Sequence, residues 1–130
     1  IAMLKKFSYF AISFSLFGSS SISLAQDNVN SEFRGKYNQS LLCGAYMGNF
    51  TILAQKIDDQ KLEAAFEAAT ERYMHEIVDY GDKLGIVKDD GVDELKKLAA
   101  SLEKGRSGYS EKEIANMTKF CAPEILPLLE

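Results

Sequence analysis

Residues 62–84 read LEAAFEAATERYMHEIVDYGDKL, and this stretch decides the fold of the chain. Its apolar residues recur at steps of three or four: Leu62, Phe66, Ala69, Tyr73, Ile77, Tyr80 and Leu84. Such spacing places them on one narrow stripe of a helix, as in a coiled-coil seam. The pattern predicts a helix over 61–84. We interpret the seam as core packing and not as a cofactor site, because seven apolar positions in phase are typical of a buried helix face.

The segment before the seam predicts another helix, over 37–57, which is the first helix of the domain in chain order. A stripe of apolar residues runs along it: Leu42, Tyr46, Phe50, Leu53 and Ile57. Cys43, Met47 and Ala54 widen this stripe, and a helix that is apolar over so much of its circumference is normally central in a bundle. Between 57 and 62 the stripe moves about half a turn around the axis, counting about 100° per residue. We therefore expect a turn over 57–60, with an aspartate as the N-cap of the next helix.

The remaining face of this first helix carries small residues: Gly44, Gly48 and Thr51. Each glycine in a helix interior lowers stability by about 1 kcal/mol relative to alanine. Close approach of another backbone would compensate for that loss. Gly44, Gly48 and Thr51 are accordingly a candidate docking face, for another helix of this chain or for a partner.

Two shorter helices are predicted towards the C-terminus. Asp90 is placed to cap one over 91–104, with Gly105 just after its end. Ser110 and Glu113 have the spacing of a capping box, and Pro123 should end the helix that they begin. An apolar tail follows at 125–129, for which core packing and an exposed docking strip are both open. No segment alternates with period two, so the expected fold is all-α, a small four-helix bundle-like single domain over 37–130.

The chain has two cysteines, Cys43 and Cys121. Helical phase places each on the apolar side of its helix, so both should face the same core. An even pair in a short exported chain favours one disulfide, which would link the first helix to the last. Two buried free thiols are the alternative.

The N-terminal sequence predicts export. Lys5 and Lys6 precede an 11-residue apolar stretch over 7–17 and a serine-rich tract ending in Ser23-Leu24-Ala25. This order is typical of a cleavable signal peptide over 1–25, and the apolar part is shorter than the ~20 residues that span a bilayer. An uncleaved anchor is the alternative. Polar residues 26–36 show no period and predict a flexible lead-in to the domain.

Charge limits the partners that the exported chain could bind. Once Lys5 and Lys6 are removed, thirteen basic residues remain against nineteen acidic ones, a net charge of −6. An acidic chain is a poor partner for the phosphates of nucleic acids. We expect no nucleic-acid partner and, after cleavage, no stable membrane anchor. An acidic surface that serves only solubility is the simpler interpretation.

No pattern of catalytic or metal-binding residues is evident. His75 is the one histidine, and its phase opposite the seam predicts an exposed side chain between Glu71 and Asp79. A single histidine with surface acids is poor zinc-ligand spacing. The acidic turn over 89–94 lacks the aspartate that a calcium loop of the EF-hand type needs at its first position. We therefore predict no metal, no cofactor and no enzymatic activity, with a carboxylate-pair hydrolase as a remote alternative.

In its size, leader and cysteine count the chain resembles small exported bacterial helical proteins with one cystine, such as periplasmic immunity proteins and acid-stress chaperones. The resemblance covers no motif, so no residue role is carried over. It implies a periplasmic or secreted, non-enzymatic protein that binds another protein, in an inhibitory, immunity or chaperone-like role. The alternative is a small-molecule or lipid carrier with an apolar pocket lined by Met47, Phe50, Phe66, Tyr73 and Met117.

Overall fold

A computed structural model describes residues 24–104 and 108–130, with side chains from residue 30 onward. Four α-helices and a 3-10 helix follow one another in these ranges: α1 (Leu24–Lys56), α2 (Gln60–Lys83), α3 (Lys88–Glu103), α4 (Glu111–Cys121) and the 3-10 helix (Pro123–Leu129). The described ranges contain no strand. The predicted all-α class is therefore confirmed. The predicted signal peptide lies almost wholly outside the described residues, as does the predicted helix-ending Gly105.

The helices α1 and α2 form an antiparallel hairpin. The turn between them contains Asp58 at a positive φ of 56°, and Asp59 caps α2 by accepting a hydrogen bond from the backbone N–H of Leu62 at 3.1 Å. This confirms the predicted turn and its aspartate cap. Ring contacts follow the antiparallel pairing, with Phe50 of α1 edge-on to Phe66 of α2 at a centroid distance of 5.5 Å.

The start of α1 differs from its predicted position. Residues 26–36, predicted to be a flexible lead-in, belong to this helix. One local and one long-range contact support it where an apolar stripe is missing: Glu32 forms an i,i+4 ion pair with Lys36 at 3.2 Å, and the ammonium of Lys83 on α2 lies 4.8 Å from the centroid of the Phe33 ring. Such pairs stabilise a helix without producing a hydrophobic period.

The core follows the predicted seam. Leu62, Phe66, Ala69, Tyr73 and Ile77 are buried, and Tyr80 and Leu84 pack against the core while partly exposed. The apolar stripe of α1 joins the same cluster, except for Ile57, which is 67% exposed because α1 ends before it at Lys56. One continuous core thus connects the hairpin with α3 and α4.

Helix α3 begins three residues earlier than predicted. Its N-cap is Val87, which makes no side-chain capping bond, and Asp90 lies inside the first turn. The predicted capping role of Asp90 is therefore wrong. Gly91, which would have opened the helix, is instead a packing contact: a Cβ there would lie 3.1 Å from Cγ2 of Ile77.

Helix α4 begins as predicted, with Ser110 and Glu113 in a capping box. Its buried face consists of Met117, Thr118 and Cys121. Phe120, an apolar residue next to Cys121 in the sequence, is 47% exposed. The helix ends at Cys121, and the chain continues from Pro123 as the 3-10 helix, in which Ile125 is buried.

A disulfide links Cys43 of α1 to Cys121 of α4, with the two Cα atoms 5.4 Å apart. Both residues are buried. The predicted bridge between the first and the last α-helix is confirmed. The side chains of α2 reinforce this junction, since the Tyr73 hydroxyl and the Arg72 guanidinium both donate to the carbonyl oxygen of Cys121.

Candidate functional site: a groove between α1 and α2

The predicted docking face of Gly44, Gly48 and Thr51 is divided by the fold. Gly44 is buried, and a Cβ there would lie 3.0 Å from Cδ1 of Leu95 on α3 and 3.4 Å from Cβ of Tyr73 on α2. Close approach of two other helices therefore accounts for this glycine. Gly44 offers no surface to an outside partner, whereas Gly48 and Thr51 remain partly exposed.

Gly48 and Thr51 line an open groove on the α1–α2 surface, with a volume of about 340 Å³. The lining residues come from both helices of the hairpin: Gly48, Thr51, Gln55, Glu67, Thr70, Glu71 and Met74. A Cβ added at Gly48 would meet only Cγ2 of Thr70, at 3.7 Å, which is an ordinary contact. The missing side chain of Gly48 thus leaves space on this face that no other part of the described chain fills.

The floor of the groove is less polar than its threonines suggest. The Thr51 hydroxyl donates to the carbonyl of Met47, and the Thr70 hydroxyl donates to the carbonyl of Phe66, each at 2.8 Å. Both hydroxyls are therefore engaged by their own helices. The Thr70 methyl group is the atom nearest to Gly48. A visiting side chain would accordingly meet methyl and backbone atoms at this floor.

The rim of the groove combines acidic and apolar side chains. Glu67 and Glu71, one turn apart on α2, are both exposed, and neither has an ion-pair partner in the part of the chain that the structure describes. Met74 is 37% exposed at one end. Ile52, which follows Gly48 by one turn on α1, is 44% exposed but does not line the groove. Exposed apolar side chains beside a groove are a feature of interaction surfaces.

The groove has little of what catalysis requires. Its hydroxyls are bonded to backbone carbonyls, and its two carboxylates share the same exposed environment, whereas acid–base pairs need two different ones. Within residues 24–104 and 108–130, no group of three or more His, Cys, Asp or Glu side chains is placed to hold a metal ion. His75 is exposed next to Met74, as its helical phase predicted.

The alternative hypothesis, a small-molecule or lipid carrier, predicted an apolar pocket lined by five side chains that are not part of the groove. Met47, Phe50, Phe66, Tyr73 and Met117 all lie in the core, and none is more than 8% exposed. Phe50 contacts Phe66 and Tyr109 through ring edges. These five residues pack against one another and their neighbours, and none of them lines the groove.

Tyr37 is the most perturbed titratable group that the structure describes outside the groove. Its ring is fully buried between α2 and α3, against Gly81 and Gly91. Burial, together with the nearby Glu94 carboxylate, raises the pKa of the Tyr37 phenol to about 12. The hydroxyl has no hydrogen-bond partner among the described residues. Because the phenol is enclosed and neutral, we assign it to the packing of α1 and not to the site.

Two buried polar residues of α1 were not predicted. The single hydroxyl hydrogen of Ser40 is shared between the Lys36 carbonyl oxygen, at 2.9 Å, and a carboxylate oxygen of Glu76 on α2, at 3.2 Å. Asn49 donates to the carbonyl of Ala99 at 3.0 Å and to the hydroxyl of Tyr109 at 2.9 Å, and so connects α1 to α3 and to the start of α4. The partner of Ser40 on α2 is 36 positions away, and those of Asn49 are 50 and 60 positions away. Contacts at such distances leave no local signal in the sequence.

The described residues define a class: an all-α protein in which one disulfide joins α1 to α4. Comparisons with protein-family models, curated proteins and solved structures found no match. The disulfide indicates a non-cytoplasmic environment, where such bonds persist. None of the described helices has an apolar stretch long enough to cross a bilayer.

Proposed function

We propose that this chain is an exported, non-enzymatic protein that binds another protein through the α1–α2 surface, in an inhibitory, immunity or chaperone-like role. The observation that carries the proposal is the groove over Gly48, which is open, floored by small side chains and bordered by the exposed Met74. Packing of the hairpin does not require a glycine at position 48. The Cβ of an alanine there would lie 3.7 Å from Cγ2 of Thr70, an ordinary contact, and alanine favours the helix.

Export is the second part of the proposal. It is supported by the order of charge, apolar stretch and small residues over 1–25, and by a disulfide that needs an oxidising compartment. Intact-mass measurement of the protein from the exported fraction tests it. We expect a chain that begins at Gln26, and most molecules retaining Lys5 and Lys6 would contradict the cleavage.

The carrier alternative receives less support from the packing. Its proposed lining residues are engaged in the core, and the groove is too open to enclose most of a small ligand, as binding pockets for such ligands do. Native mass spectrometry distinguishes the two. A lipid or metabolite retained at one copy per chain would overturn the protein-binding proposal in favour of a carrier.

Site-specific photocrosslinking tests the binding surface directly. A photoreactive amino acid at Gln55, on the groove, is compared with one at Ala115, an exposed position of α4. In cells that export the protein, we expect a discrete protein adduct from position 55 and none from position 115. The adduct protein, once purified, should bind the unmodified chain saturably. Equal labelling at both positions, or none at either, would contradict the proposal.

A further inference from the structure

We propose that the groove takes about two turns of a basic amphipathic helix from the partner protein, with a small or apolar side chain over Gly48 and lysine or arginine side chains on Glu67 and Glu71. The inference rests on the proposed function and specifies its partner. Its basis is the combination of an apolar floor with a rim that carries two exposed carboxylates and no basic residue.

The dimensions of the groove fit a helix. Its lining spans Gly48 to Gln55 on α1 and Glu67 to Met74 on α2, which is about 10 Å along each axis at 1.5 Å per residue. That length matches two helical turns and the two or three side chains that they present on one face. Because Gly48 has no side chain, the backbone of a visiting helix can approach α1 closely there.

The charge of the rim selects among the possible occupants. A second copy docking by the same face would oppose Glu67 and Glu71 to themselves, so self-association through the groove is disfavoured by like charge. Anionic lipid headgroups and nucleic-acid phosphates meet the same repulsion. A cationic helix instead gains attraction to both carboxylates and relieves the repulsion between these i,i+4 neighbours.

The probe for this inference is a pair of synthetic 14-residue helical peptides. Both carry the same alanine and leucine stripe, and lysines flank the stripe in one peptide where glutamates flank it in the other. Binding to the disulfide-bonded chain is measured by fluorescence anisotropy at low salt. We expect the lysine peptide to bind at least tenfold more tightly, with the preference falling as salt screens the charges. Equal affinity for the two peptides would overturn the proposal.

Charge-reversal variants locate the effect. The double variant Glu67→Lys/Glu71→Lys should invert the peptide preference. Its matched control is Asp79→Lys/Asp82→Lys, which makes the same change of net charge at exposed positions on the same helix, outside the groove. The control should retain the preference for the lysine peptide. Equal loss of that preference in both double variants would show attraction to net charge alone and would overturn the proposal.

A groove-filling variant tests the contribution of the floor to peptide binding separately from that of the rim. Gly48→Leu should weaken lysine-peptide binding at least fivefold, with its folding checked by circular dichroism. Amide shifts caused by the peptide should concentrate on the lining residues, and shifts centred elsewhere would contradict the assignment.

If photocrosslinking from Gln55 finds a protein partner that contacts the groove without a basic helix, this inference fails while the proposed function stands.

Discussion

Contact between α1 and α2 is spread over the length of the hairpin, whereas the C-terminal segment, made of α4 and the 3-10 helix, is attached at a few points. In the hairpin, contacts run from Tyr37 against Gly81 at one end to Phe50 against Phe66 at the other. In the C-terminal segment, the attachment centres on Cys121, which is bonded to Cys43 and whose carbonyl accepts from Tyr73 and Arg72.

The difference teaches where the stability of each region comes from. In distributed apolar burial, each pair of atoms in contact contributes a small part of the total, so the pairing of α1 with α2 does not depend on one bond. The C-terminal segment is short and has a small buried face, so it depends more on each of its contacts, among them the one at Cys121. An 11-residue helix such as α4 is also too short to be stable in isolation. The two regions should therefore respond unequally to the same kind of damage.

The largest expected effect is loss of the disulfide. The bond closes a loop over a sequence separation of 78, for which the chain-entropy model gives about 4.5 kcal/mol as an upper figure. We expect the Cys43→Ala/Cys121→Ala variant to lose ~2–5 kcal/mol of unfolding free energy in urea. Hydrogen exchange should show α4 and the 3-10 helix losing protection first, while the middle of the hairpin keeps more of it.

Reduction of the unmodified chain is the control for side-chain truncation at the two cysteines. Reduction should lower the melting temperature, as the double alanine substitution should. An unchanged melting temperature after complete reduction, with both thiols verified by alkylation, would mean that the junction does not depend on the bond. Uniform loss of protection across all helices would remove the distinction between the two regions.

The hairpin should lose folding stability at alkaline pH because of the buried Tyr37. The ordinary tyrosine pKa is 10.0, and that of Tyr37 in the folded chain is about 12. Above pH 10 the unfolded chain releases this proton while the folded chain retains it, so stability is complete below pH 10 and falls as pH rises towards 12. We expect a loss of about 2 kcal/mol by pH 11.5 from this group, measured as the difference between the unmodified chain and Tyr37→Phe.

The Phe variant is a suitable reference because it keeps the ring that packs against Gly81 and Gly91 and removes the hydroxyl that titrates, so each protein is compared with its own stability at neutral pH. Other tyrosines and lysines titrate in both proteins and cancel in the difference. Parallel stability curves from pH 8 to pH 11.5 would contradict the burial of this phenol in a neutral form.

Two glycines one turn apart give a smaller and more local test within the hairpin. Gly44→Ala places a methyl group 3.0 Å from Leu95 and 3.4 Å from Tyr73, and overpacking of this kind costs about 1–3 kcal/mol against a helix-propensity gain of about 1. We expect a net loss of about 1 kcal/mol. Gly48→Ala meets an ordinary 3.7 Å contact and should gain up to about 1 kcal/mol.

Thermal or urea unfolding of the two variants side by side provides the measurement, and each variant is the control for the other because the substitution is identical. Equal effects would mean that α2 and α3 cover both positions alike. Destabilisation by Gly48→Ala alone would contradict the open groove.

The sequence predicted the features that depend on local chemistry. Helical period fixed the α2 seam, Asp59 and the Ser110–Glu113 pair marked helix starts, and the cysteine count with helical phase predicted the bridge. The caps lie within one turn of chain and the seam within one helix, whereas for the bridge two cysteines leave a single intramolecular pairing.

The sequence failed where residue type did not match burial. Thr118 is fully buried on α4 and Phe120 is exposed, the reverse of what their polarity suggests, because the faces in contact are set by helices distant in sequence. The docking face was only partly predicted for the same reason. Gly44 and Gly48 have the same local pattern, and only tertiary contacts, with Leu95 of α3 and with Tyr73 of α2, separate the buried glycine from the open one.

The smallest expected effect concerns the ion pair that attaches the 3-10 helix to α2. Arg72 and Glu124 meet at 2.9 Å, and both side chains are about half exposed. Exposed pairs contribute about 0.2–1 kcal/mol. We therefore expect Glu124→Gln to lower stability by no more than that amount. Arg72→Ala should cost more, since it also removes a donor to the Cys121 carbonyl.

The pH dependence has a definite sign. The Arg72 guanidinium lowers the pKa of Glu124 below its usual value of 4.5, so the pair's contribution is present above that value and is lost as pH falls through the lowered pKa. Unfolding measured from pH 7 down to pH 3 should therefore show a slightly steeper loss of stability in the unmodified chain than in Glu124→Gln. Because both groups face solvent, 1 M salt should reduce the difference between the two proteins. A Glu124→Gln effect comparable to loss of the disulfide would contradict the view that the C-terminal segment depends mainly on the covalent junction.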